Sequence, residues 1–299
     1  MTVIRQRLIV LIAIVIAGMI YLWGLPGWRS AEGIAGASLL YAASPVAAIG
    51  WAIVLTAAAG VIAAFTAAQG RILHAAIVLS IGLLFPAIKG GTIDERLRSF
   101  EDSSGYWVFA LESVVWLLVL GVALWVVAAI AQRLRRQFRP PEQEDGSEPP
   151  AAGAASAARG AVKSTDTLAA AALTLIVGSV LTMLLLQTAE RGQAIAGLIL
   201  AFGLAAGAAH QSFRSAHPLP MLLSPLILSI FAYAYAAMTG GTSEAMLTRY
   251  FEGDFIHPAL ALPIYYASAG VAGVTLGLLW SHSLAAEPED PSLAGVASR

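Results

Sequence analysis

The chain contains no cysteine and few charged residues. Without cysteine there are no disulfides, no thiolate catalysis and no Cys-ligated metals. Charged residues make up 12% of the sequence, against about 25% in typical soluble domains, and the net charge of −1 argues against a nucleic-acid partner. Metalloprotease, phosphate-loop and nucleophile-elbow motifs are absent, as is an acidic cluster for a divalent metal. We therefore expect no catalytic residue, no metal and no cofactor.

Long apolar runs recur along the whole chain, and the mean hydropathy is +0.77. Runs of roughly 17 to 25 apolar residues are typical of membrane-spanning helices, and the alternating pattern of membrane β-barrels is absent. The sequence predicts an all-α, polytopic membrane protein with about eight transmembrane helices. The runs cover residues 8–25, 46–68, 72–88, 106–131, 168–187, 194–209, 220–238 and 259–281.

A short pattern occurs twice, about 150 residues apart, each time between two apolar runs. We call residues 90–101 and 240–252 the first and second Gly-Gly-Thr segments. Four runs in each half let the second half enter the membrane in the same direction as the first. The sequence therefore predicts two diverged four-helix repeats with same-sense (parallel) topology. The matching residues are Gly90, Gly91, Thr92, Arg98, Phe100 and Glu101 in the first segment, and Gly240, Gly241, Thr242, Arg249, Phe251 and Glu252 in the second.

Composition divides the chain further. Residues 136–165 are rich in Pro, Glu, Ala and Gly and have few large apolar side chains, which is typical of a flexible linker. We expect four-helix repeats at 1–135 and 166–284, a cytoplasmic linker between them, and a disordered cytoplasmic tail at 285–299.

The basic residues predict the orientation. With both termini in the cytoplasm, four arginines between Arg133 and Arg139 lie inside, as cytoplasmic loops favour. We expect a multi-pass protein of the bacterial cytoplasmic (inner) membrane. Only six basic residues then lie outside: Arg29, Lys89, Arg96, Arg98, Arg191 and Arg249.

The repeated segments also predict local structure. A glycine pair after a helix suits a left-handed C-cap, and the following Thr caps a new short helix, with capping-box spacing from Thr92 to Glu95. The Arg–Glu pairs, each three residues apart, would meet on one face of that helix. Two interpretations stay open: the segments line an outer vestibule or dock a partner, or they are re-entry turns inherited by duplication.

Glu112 is the only ionisable residue well inside an apolar run. A carboxylate there is costly, which makes it a candidate intramembrane polar site. The alternatives are an ion pair with Lys89, Arg96 or Arg98, or a side chain that reaches the interface.

The positions of the histidines, glycines and tryptophans give further predictions. His74, His210, His217 and His282 fall near the cytoplasmic ends of different runs, where we expect polar anchoring more than haem or metal ligation. The pairs Gly203/Gly207 and Gly273/Gly277 have the spacing that permits close helix contact. Trp23, Trp28, Trp107 and Trp280 are placed for interfacial belts.

From these features we expect a non-catalytic membrane component: a subunit, anchor or assembly partner of a larger membrane system. The alternative is a permease for a small solute or a lipid, with its pathway between the two repeats. An enzyme is the third reading, since only Glu112 and scattered histidines could serve one. Expected partners are membrane lipids and either a membrane protein or a second copy of the chain.

Overall fold

Eight helices are long and apolar enough to cross a membrane, which confirms the predicted all-α, multi-pass class. The computed structural model describes residues 3–30, 37–69, 72–137 and 164–284, and these described residues form helices and turns without a β-strand. The helices are α1 (Val3–Gly24), α2 (Pro45–Gln69), α3 (Ile72–Lys89), α4 (Ile93–Leu97), α5 (Gly105–Gln137), α6 (Ser164–Leu185), α7 (Arg191–Ser212), α8 (Pro218–Thr239), α9 (Ser243–Glu252) and α10 (Pro263–Leu284).

The eighth span begins later than its apolar run predicts. His257–Leu260 form a separate 3-10 turn, and α10 starts at Pro263. Proline has a fixed φ and no N–H, so it suits the first turn of a helix. Within α10, Tyr266–Gly270 form a π-helical turn.

Most helix pairings recur in both halves, but α2 packs on α3 whereas the corresponding helices α7 and α8 do not pack closely within the described part of the chain. In the first half, α1 packs on α2 and α3, and α2 packs on α5. In the second half, α6 packs on α7 and α8, and α7 packs on α10. The halves meet where α5 packs on α8 and where α3 packs on α10, so the third span of each half contacts the fourth span of the other.

Helices α7 and α10 cross closely at their glycines, as the glycine spacing predicts. A Cβ built on Gly277 would lie 2.1 Å from the carbonyl oxygen of Gly203, and one on Gly273 would lie 2.6 Å from that of Ile199. Only a residue without a side chain allows two backbones to approach this far.

The predicted linker and tail lie largely outside the described residues. Helix α5 continues to Gln137 and α6 begins at Ser164, so helices enter both ends of the predicted linker. Residues 138–163 and 285–299 are not described.

Candidate functional site

The two Gly-Gly-Thr segments lie side by side at one end of the helix bundle, which we call the Gly-Gly-Thr end. Asp102 and Thr242 form an antiparallel bridge. On either side of it, the N–H of Ser103 donates to the carbonyl of Gly241 at 2.9 Å, and the N–H of Ser243 donates to that of Glu101 at 3.3 Å. Backbone hydrogen bonds therefore join the two halves of the chain at this end.

The glycines and the second Thr adopt the predicted conformations. Gly91 has a φ of 86° and Gly241 a φ of 76°, in the left-handed region that glycine enters at little cost. Thr242 caps α9 by accepting the N–H of Ala245 at 3.3 Å. The predicted capping box of the first copy is wrong: the Thr92 hydroxyl bonds the Asp94 carboxylate and makes no cap bond.

The predicted Arg–Glu pairing on a helix face is wrong for the first segment. Helix α4 ends at Leu97, so Arg98 is its C-cap and Glu101 lies beyond it. In the second segment Arg249 lies within α9, and its guanidinium donates to the carbonyl of Thr239 at 2.7 Å. This contact holds α9 against the end of α8.

Equivalent aromatic residues of the two segments have different surroundings. Phe100 is 7% exposed and packs in the core, whereas Phe251 is 71% exposed. The ring of the first segment is therefore part of the interior, whereas the ring of the second lies on the surface. The two Gly-Gly-Thr segments therefore differ in their contacts.

Glu112 is completely buried, which excludes the reading that its carboxylate reaches the interface. The Ser38 hydroxyl donates to one carboxylate oxygen, whereas within the described residues neither the other carboxylate oxygen nor the indole N–H of Trp116 has a hydrogen-bond partner. The partner is thus a loop between α1 and α2 that the sequence analysis did not single out. No apolar or charge pattern marks a single serine in a loop.

The loop that covers Glu112 is held at several points. The Tyr41 hydroxyl donates to the carbonyl of Gly105 at 3.0 Å, and the N–H of Ser38 donates to the carbonyl of Trp28 at 3.1 Å. The guanidinium of Arg96 lies 5.2 Å from the centroid of the Tyr41 ring. Burial raises the pKa of the Tyr41 phenol to about 12, with Arg96 lowering it and Glu112 raising it. Arg96 thus stacks on the loop that binds Glu112.

Trp28 is buried inside the bundle and does not face lipid, as a residue of an interfacial belt would. Its side chain is completely buried, and its ring packs edge-on against Trp116 with centroids 5.9 Å apart. The 3-10 turn Leu25–Trp28 carries this ring into the bundle. Trp23, Trp107 and Trp280 are exposed, as interfacial tryptophans would be.

A cluster of seven aromatic rings fills the space between the halves at the Gly-Gly-Thr end. Neighbouring ring centroids are 5.5 to 6.3 Å apart, within the range of favourable aromatic pairs. Both halves contribute rings, and most are completely buried. This aromatic cluster consists of Tyr41, Phe100, Tyr106, Phe109, Tyr233, Phe255 and Tyr266.

A cavity of about 760 Å³ lies between the halves at the opposite end, which we call the histidine end. Helices α3 and α5 line it from the first half, and α7, α8 and α10 line it from the second. Its walls are mainly apolar, and Arg214 and His217 at its edge are exposed. The bundle is therefore packed between its halves at one end and hollow at the other.

Three of the four histidines singled out in the sequence line this cavity: His210, His217 and His282. His210 and His282 stack edge-on with centroids 4.3 Å apart. His74 is not part of the lining. Periodicity places each histidine near a helix end, but it does not predict which helices are neighbours.

Among the described residues, no three His, Asp or Glu side chains are placed to hold a metal ion. Comparison of the chain with models of protein families, with curated proteins and with solved structures found no match.

Proposed function

We propose that this integral membrane protein is a permease for a small solute or a lipid, and that its pathway runs between the two four-helix halves. One observation carries the proposal: the contact between the halves is filled at the Gly-Gly-Thr end and hollow at the histidine end. A cavity between two bundles that opens at one end only is the arrangement expected of a transporter in one of its alternating conformations.

The closed end has the features of a gate. Aromatic rings from both halves exclude water there, and the only β-bridge of the described residues joins Asp102 to Thr242 across the halves. Three side-chain hydrogen bonds also cross between the halves here: Ser103 donates to the Ala237 carbonyl, Tyr265 to that of Gly91 and Arg191 to that of Ile88. All these hydrogen bonds and ring contacts can separate and re-form without unfolding either bundle. Within the described residues, no backbone bridge joins the halves around the cavity, so motion of the halves would exchange which end is open.

The pairing of helices within each half supports descent from a duplicated four-helix unit with same-sense topology. Most corresponding spans pack on each other in both halves, the contact of α2 with α3 excepted, and the third span of each half contacts the fourth span of the other. Both Gly-Gly-Thr segments lie at the same end. Two similar units that rock about a shared contact suit alternating access.

The proposal can be tested with single cysteines, because the chain has none of its own. Ser103→Cys reports on the closed end, where its side chain is 8% exposed and bonds the Ala237 carbonyl at 2.8 Å. Ala128→Cys reports on the cavity. Val122→Cys, on the same helix with 59% exposure toward the expected lipid, is the matched control. A membrane-impermeant thiol reagent is applied to vesicles from each side.

A permease that samples both conformations should react at Ser103→Cys from the Gly-Gly-Thr side and at Ala128→Cys from the opposite side. Val122→Cys should react from neither side. An Asp102→Cys/Thr242→Cys pair, opposite each other in a non-hydrogen-bonded bridge at about 4.5 Å between Cα atoms, suits a disulfide. Oxidising this pair should raise the labelling rate of Ala128→Cys, because every molecule then holds the cavity open.

A static bundle would behave differently. Ser103→Cys would stay unreactive from both sides, and the disulfide would leave the labelling rate of Ala128→Cys unchanged. That result would contradict a permease. Copurification of a stoichiometric partner would then support the non-catalytic membrane component.

A further inference from the structure

The cavity at the histidine end combines an apolar interior with a basic edge. Leu124 from α5, Leu222 from α8 and Leu278 from α10 contribute to its walls. Its volume of about 760 Å³ is within the usual range of ligand sites, about 300 to 1,000 Å³. A site of this kind suits a molecule with both an apolar and a polar part.

The polar part of the lining is basic. It includes Arg214 and three histidines, and none of the described residues that line the cavity is acidic. The first turn of α8 is also part of the lining, with His217 as its N-cap.

Hydrogen bonds hold these groups in place before any ligand arrives. The Ser281 hydroxyl lies 2.8 Å from Nδ1 of His210, and its backbone carbonyl accepts from the Gln211 amide at 3.1 Å. The oxygen of Gln211 accepts from Arg214 at 3.4 Å. A side chain positioned in this way loses less conformational entropy when it binds.

His217 is oriented by its own helix. Its Nδ1 accepts the backbone N–H of Leu219 at 3.3 Å, so the ring proton of the neutral form resides on Nε2. The Nε2–H group of His217 is therefore available as a hydrogen-bond donor, while Nδ1 caps the helix. Together with Arg214 it places two donors at the exposed edge of the cavity.

We infer that this cavity binds an amphiphile with an anionic headgroup, with the phosphate or carboxylate at Arg214 and the histidines and the acyl chain against the leucines. The choice of cavity rests on the proposed function. Basic pockets between transmembrane helices are a recognised way of binding phospholipid headgroups. A free anion shares the headgroup chemistry but would leave the apolar walls unused.

The test measures the thermal unfolding midpoint of the full-length protein in neutral detergent. Three probes are titrated: dihexanoyl phosphatidylglycerol below its critical micelle concentration, dihexanoyl phosphatidylcholine, and inorganic phosphate. A ligand that binds the folded state raises the midpoint in proportion to the logarithm of its concentration over its Kd. We expect a rise with phosphatidylglycerol and much smaller rises with the other two probes.

Variants at the exposed edge locate the site. Arg214→Gln should raise the apparent Kd for phosphatidylglycerol about tenfold, as loss of a charge-assisted hydrogen bond does. His217→Asn removes the ring but keeps a capping oxygen, and it should weaken binding without loss of folding. Arg7→Gln, the same change at an exposed arginine of α1 outside the cavity lining, is the matched control and should leave Kd unchanged.

Each outcome bears on the inference. Equal effects of the two lipids would contradict an anionic site, and a phosphate effect as large as that of phosphatidylglycerol would contradict an amphiphile. Unchanged Kd in Arg214→Gln and His217→Asn would contradict this location. Tight phosphatidylglycerol binding beside an unreactive Ser103→Cys would support the lipid site and contradict the permease. Labelling of Ser103→Cys and Ala128→Cys from opposite sides, with no preference among the lipids, would support the permease and contradict the lipid site.

Discussion

The contact of α7 with α10 gives the sharpest stability prediction. Gly277→Ala places a Cβ 2.1 Å from the carbonyl oxygen of Gly203 and 2.9 Å from its carbonyl carbon. Both neighbours are backbone atoms, so no side chain can rotate away. The helices must separate by about 1 Å to restore ordinary contact, which also loosens the pairs of side chains on either side.

The expected loss combines two opposing effects. Overpacking a close contact lowers the free energy of unfolding by about 1–3 kcal/mol. Replacing a helical glycine by alanine raises it by up to about 1 kcal/mol. We therefore expect Gly277→Ala to lower the free energy of unfolding by about 1–2 kcal/mol. Because α7 and α10 both line the histidine-end cavity, the change should also weaken lipid binding there.

Two glycines serve as matched controls. An added Cβ at Gly207 would lie 3.6 Å from the Gly277 carbonyl, an ordinary contact, and one at Gly50 would meet nothing within 4 Å. Gly207→Ala and Gly50→Ala should therefore equal or exceed the wild type in stability. The assay is reversible unfolding in mixed micelles, followed by circular dichroism. A Gly277→Ala protein as stable as Gly207→Ala would refute the close crossing of α7 and α10.

Two further predictions concern the first half and the orientation. Ser38→Ala and Glu112→Ala should each destabilise the protein. A double-mutant cycle should give a coupling free energy of about 1–2 kcal/mol, as expected for a buried hydrogen bond to a carboxyl group. Independent effects of the two substitutions would mean that the loop does not depend on Glu112. Reporter fusions after Gly146 and Ala286 should both give cytoplasmic signals, because the arginine cluster before the linker favours that side; an external signal at either position would overturn the orientation.

The candidate site was only partly predictable from sequence. Glu112 stands out because an ionisable residue in an apolar run is costly, and burial of its side chain agrees with that reasoning. Ser38 and Tyr41 lie more than 70 positions from Glu112 along the chain, in a loop whose composition is ordinary. Their role depends on how the chain returns over α5, which local patterns do not encode.

The sequence by itself determined the helical class, the eight spans and the left-handed glycines, because each depends on interactions within about one or two helical turns. Desolvation of the backbone requires a helix wherever an apolar run crosses a bilayer, and a Gly-Gly-Thr turn has few conformations. Only the tertiary structure decided which runs are neighbours. It brought His210, His217 and His282 to one cavity, buried Trp28 and Phe100, and left Phe251 exposed. These outcomes depend on packing between helices far apart in sequence, where small differences in side-chain volume select among many arrangements of similar local energy.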